Sequence, residues 1–114
     1  MITVKIFQDP AGNPEGYEFR GHAEYAEEGS DIVCAAVSVL AMNTANAIEK
    51  LTDDHIAGES AEDGGYVKLE FPEGAGKDSQ LLMRAMVIGL RDIQKTYGSR
   101  YIQIRTEEVR TCSS

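Results

Sequence analysis

Residues 31–51 restrict the fold more than any other segment, because they are apolar on two sides of a single helix. At roughly 100° per residue, Val33, Val37, Leu40, Thr44, Ile48 and Leu51 form one stripe, and Ile32, Ala35, Val39 and Met42 form a second strip opposite it. A helix with one apolar face needs one neighbour, whereas a helix with two is usually covered twice. The first stripe is therefore expected on a sheet, and the second against another helix or another subunit. Gly29, Ser30 and Asp31 supply the start, with Asp31 as N-cap, and Thr52-Asp53-Asp54 supply the stop.

The remaining segments read mainly as strands. Residues 2–7 alternate, and Asp9-Pro10-Ala11-Gly12-Asn13-Pro14 is dense in turn formers, which predicts an opening hairpin. The returning strand, 16–22, places Tyr17 and Phe19 on one face and Glu18, Arg20 and His22 on the other. Two more strands are expected near 55–62 and 66–71, joined through Asp63-Gly64-Gly65. A second helix, 78–97, shows Leu82, Met86, Leu90, Ile93 and Tyr97 on one face and ends at Gly98, before a last strand at 101–105. The order ββαββαβ predicts an α+β domain: a single mixed or antiparallel sheet with two helices packed on one face. The 114 residues suit one domain over 1–114 with an ordinary core.

Charge narrows the function classes. A net charge of −8 with only 11 Lys and Arg argues against direct nucleic-acid binding, which needs clustered cations. The acidic groups Glu24, Glu27, Glu28 and Glu59, Glu62, Asp63 either solvate the surface or attract a basic peptide. Ser38, Asn43, Thr44 and Asn46 interrupt the apolar run of the first helix, so no membrane span is expected there. The alternating N-terminus lacks the apolar core of a signal peptide, and two cysteines are too few for a disulfide scaffold. A cytoplasmic protein is expected. No metal-ligand spacing is present, and Gly74-Ala75-Gly76-Lys77 lacks phosphate-loop spacing, so neither metal nor cofactor is expected.

The candidate chemistry lies between the second strand and the first helix, in Gly21-His22-Ala23 and Asp31-Ile32-Val33-Cys34-Ala35-Ala36-Val37-Ser38. A thiol near a helix N-terminus and a cationic neighbour ionises more readily, and an imidazole beside it can carry the leaving-group proton. Asp31, Cys34 and Ser38 fall within about 60° of one another, on the flank of the core stripe. Each has a plainer role too: Cys34 as a small core filler, Asp31 as a cap alone, Ser38 bonding the helix backbone. Asp31 as an orienting partner of His22 is the sharper alternative, although a carboxylate also opposes ionisation of a nearby thiol.

Those two strings, separated by eleven residues between His22 and Cys34, resemble the ribosomal-processing cysteine proteases of bacteria. The resemblance implies Cys34 as nucleophile and His22 as general base and acid, with Asp31, Ser38 and Gly21 in support. It makes Ala23, Glu24, Tyr25, Gly29 and Ser30 part of a mobile loop over the site. It also implies a homodimer that removes a short N-terminal extension from a large-subunit ribosomal protein. Two other classes compete: a non-catalytic ribosome-assembly factor that holds a basic peptide, and a thiol redox sensor. The sensor is weakened because Cys112, the other cysteine, lies far off in a polar tail.

Overall fold

The computed structural model describes residues 1–21, 30–61 and 65–109, and no side chain at 30 or 31. Its elements follow the expected order: β1 (Ile2–Gln8), β2 (Pro14–Arg20), α1 (Ser30–Leu51), β3 (Ala57–Ser60), β4 (Tyr66–Glu70), α2 (Lys77–Tyr97) and β5 (Ile102–Glu108). The strands form one sheet in the order β3-β4-β2-β1-β5. All neighbours are antiparallel except β1 and β5, which run parallel from Ile2↔Ile102 to Gln8↔Glu108, so the sheet is mixed. The parallel pair follows from the connection, since the chain leaves β4 and returns through α2 before β5.

Register places one apolar side chain opposite another across the sheet. Val4 faces Phe19 and Ile104, while Ile6 faces Tyr17, which in turn faces Leu69. Ile2, Val4, Ile6, Tyr17, Phe19, Leu69 and Ile102 are all buried under the two helices. The other face carries a polar row, Lys68–Glu18–Lys5–Arg105, by the same register. Glu18 is nearly enclosed there. Burial pushes its carboxyl up, but hydrogen bonds from Arg20 and Tyr66, with the charges of Arg20 and Lys5, outweigh that and hold it below the usual range.

On α1 the row Val33, Val37, Ala41, Thr44 and Ile48 faces the sheet, as the first stripe predicts at four of its six positions. Leu40 is turned toward α2, where Gly89 makes room: a Cβ on Gly89 would lie 3.0 Å from Leu40 Cδ1. Leu51, at the last position of the helix, is 71% exposed rather than on the sheet. The second strip does not pack on α2: Ile32, Val39 and Met42 are 58%, 64% and 50% exposed, pointing away from the core. By length and composition Ile32–Leu51 is apolar enough to cross a membrane, contrary to the expectation that its polar residues break the run. The surrounding Ile, Val, Leu and Ala outweigh them. In this fold the inner row of that helix is already part of the core.

On α2, Met86 and Leu90 are buried as expected, joined by Met83 and Ser79, while Tyr97 is 39% exposed. Strand ends also move. The second strand begins at Pro14 and stops at Arg20, because Gly21 takes a φ of 104°, outside strand geometry. The third is shorter than 55–62, and the fifth continues past 105 to Glu108 along β1.

Candidate active site

Three elements converge on Cys34. Alpha-helical spacing puts it on the flank of α1, one turn before Ser38, and it is half-buried with a free thiol, packed at the margin of the core. Cys34 lines a shallow recess at the edge of the core. Val37 and Ala41 of α1, Ile2, Phe19 and Val67 of the sheet form its apolar walls. Cys34, Ser38, Gly21 and Gly65 complete it. Among the described residues lining this cleft, Cys34 is the one titratable group, so the thiol faces a largely apolar recess.

Gly21 is required where it stands. Its positive φ suits glycine, and a Cβ there would run into the carbonyl oxygen of Met1. Its N–H donates to the carbonyl of Gly65 at 2.9 Å, tying the end of β2 to the turn that precedes β4. The chain therefore leaves β2 toward residue 22 from a point on the cleft wall. Of the expected site residues, the structure brings together Cys34, Ser38 and Gly21. His22, Ala23, Glu24, Tyr25 and Gly29 lie outside the described residues, as do the side chains of Ser30 and Asp31. The backbone of Ser30 already belongs to α1, so Ser30 is helical rather than part of a loop, and Asp31 falls inside the first turn rather than at the N-cap.

Sequence reasoning did not include Ile2, Gly65 or Val67 in the site. They enter through the order β4-β2-β1, which places strands distant in sequence beside Phe19. Alternation marks Ile2 as a core residue but not as a cleft residue. The other histidine, His55, is elsewhere and exposed. Its Nδ1–H donates to Glu73 at 2.8 Å, and this hydrogen bond, with the Glu73 and Asp54 charges, raises its pKa. Among the described residues no cluster of three or more His, Cys, Asp or Glu side chains could hold a metal ion.

A thiol on a helix flank, at the edge of an apolar recess, is placed where a nucleophile for acyl transfer can be reached from the surface. The comparisons agree with that chemistry. The family model for cysteine protease Prp matches residues 1–103. The ribosomal processing cysteine protease Prp of Bacillus subtilis strain 168 is 38% identical over 101 residues, covering 85% of this chain and 90% of that protein. The protein of the same name from Staphylococcus aureus strain Mu50 is 31% identical over 97 residues, covering 85% and 92%. Crystal structures of the ribosomal processing protease Prp from S. aureus are similar throughout. The complex with a covalently linked product peptide superposes with a TM-score of 0.84 at 29% identity, covering 94% of this chain and all of that one. The complex with a substrate peptide gives 0.85 at 28%, with the same coverage. With its sequence matched over residues 1–103 and its fold matched to these relatives, this chain belongs to the Prp family of cysteine proteases.

Proposed function

We propose that this protein removes a short N-terminal extension from a large-subunit ribosomal protein, using Cys34 as nucleophile and His22 as general base and acid. One observation carries the assignment of residues: the Cys34 thiol shares its cleft with Gly21, and Gly21 is bonded directly to His22. In this reading the Cys34 thiolate attacks the scissile carbonyl carbon. Backbone N–H groups at the start of α1 hold the oxyanion, His22 protonates the departing amine, and water releases the acyl-enzyme. Ser38 sits one turn beyond the nucleophile as a supporting group, and Asp31, in the first turn of α1, either complements the positive end of the helix or orients His22. In this reading residues 23–29, between His22 and the first residue of α1, cover the bound peptide, and Glu24, Glu27 and Glu28 suit a basic ribosomal-protein tail.

The working form in this reading is a homodimer in the cytoplasm. The exposed strip of Ile32, Val39 and Met42 on α1 supports it, since an outward apolar row of this kind is commonly an interaction surface. No nucleic acid, membrane or cofactor is needed for the reaction as written. The test is mass spectrometry of the N-terminal peptide of a large-subunit ribosomal protein, extension included, after incubation with the wild type and with Cys34→Ala. Cleavage by the wild type alone is expected. Cleavage by both would remove Cys34 as the nucleophile, and binding without cleavage by either would favour a peptide-holding assembly factor.

A further inference from the structure

Tyr17 heads the fully buried side chains by size among the described residues, yet peptide hydrolysis gives its hydroxyl no role. The O–H donates to the carbonyl oxygen of Ala41, in the middle of α1, at 2.8 Å. A carbonyl has two lone pairs, so Ala41 can accept this bond without surrendering its place in the helix ladder. Burial pushes the phenol far above its ordinary value, which keeps it a donor across the neutral range. An apolar side chain could fill the same volume without burying a polar group. The hydroxyl therefore contributes direction rather than bulk.

Both ends of this bond lead to the cleft. Tyr17 packs edge-to-face on Phe19, with centroids 5.4 Å apart at 71°, and Phe19 and Ala41 are both cleft walls. From Tyr17, β2 and its exit run four residues on to Gly21. From Ala41, α1 runs about two turns back to Cys34. We propose that Tyr17 is a positioning residue: its hydrogen bond to Ala41 fixes the register of α1 along β2, and hence the separation of the Cys34 sulfur from the Gly21 end of the strand. The inference rests on the assignment of Cys34 as nucleophile and His22 as its partner.

The test compares Tyr17→Phe, which deletes only the hydroxyl, with Ser79→Ala, which removes a buried hydrogen-bonding hydroxyl on α2 away from the cleft. Three readings are taken on the full chain: melting temperature, kcat and KM on the ribosomal-protein peptide, and the pH profile of iodoacetamide alkylation followed on the Cys34-bearing fragment. Both variants are expected to melt several degrees lower. Only Tyr17→Phe is expected to lose kcat, on the order of tenfold with KM within about twofold, and to displace the alkylation profile. Wild-type kcat and alkylation in Tyr17→Phe would overturn the proposal, as would an equal loss in Ser79→Ala. If the wild type fails to cleave the peptide, the proposed substrate is wrong, while the alkylation comparison still decides the positioning of Cys34.

Discussion

The two helices begin in opposite ways. At the start of α2 the local sequence supplies no side-chain cap, and Asp54, from the segment after α1, fills the place. Its Oδ2 accepts the Gly76 N–H at 2.8 Å and the Ser79 hydroxyl at 2.5 Å, while Glu15 accepts the neighbouring Ala75 N–H. At α1, the second and third turns border the recess through Cys34, Val37, Ser38 and Ala41. Helix starts offer the same unpaired N–H donors and the same partial positive charge. At α2 one of these donors, the Gly76 N–H, is taken by a carboxylate that belongs to the fold, whereas Cys34 of α1 lies one turn beyond that helix's start, at the recess. The proposed chemistry thus falls on the helix that borders the recess, while the other helix start is tied into the fold by distant carboxylates.

The contrast breaks most sharply at α1. Cys34→Ala is expected to fold normally and to lose peptide cleavage by about 10⁴-fold or more, read by mass spectrometry beside a thermal melt. Wild-type turnover in that variant would move the nucleophile elsewhere. The reverse pattern is expected at α2: Asp54→Ala should cost about 1–2 kcal/mol in urea unfolding and leave kcat and KM unchanged. A lost kcat in Asp54→Ala would show that the two helix starts are coupled.

Acid sharpens the comparison further. The Ser79 hydroxyl, then the Gly76 N–H, against a smaller opposing effect of burial, hold the Asp54 carboxyl below its ordinary 3.8. A carboxylate with a lowered folded pKa contributes stability that is fully present above the unfolded pKa and is lost as pH falls through the folded value. Wild type and Asp54→Ala should therefore differ by a constant amount at neutral pH and converge in strong acid. The smallest effect is expected at His55. Its raised pKa contributes stability below 6.5 that fades as pH rises through the folded value. Because His55 and Glu73 are both exposed, His55→Ala should shift the melting temperature only slightly at about pH 6, and less at about pH 9.

Much of this was legible in the chain itself. Alternation in 2–7 and 16–22 identifies Ile2, Val4, Ile6, Tyr17 and Phe19, all of them buried, since side chains on a strand alternate whatever the partner strand. Helical spacing finds Val33, Val37, Thr44 and Ile48 in the same way. It fails at Leu51 and Leu40, because periodicity states which residues share a side and not where the sheet ends or the next helix stands. The site divides similarly. Cys34, Ser38 and Gly21 are found from a local string, whereas Ile2, Gly65 and Val67 join them only through strand order.

The sequence by itself determined the order of elements and the residue types available for chemistry, because these depend on local spacing and composition, and two of its strings carried the resemblance to the family. Only the tertiary structure decided that β5 lies parallel to β1, that Asp54 caps a helix more than twenty residues away, and that Tyr17 reaches Ala41. Each of these joins segments distant in the chain. Such contacts are selected by shape and by the pairing of buried polar groups once the sheet and helices have met, which no local pattern encodes.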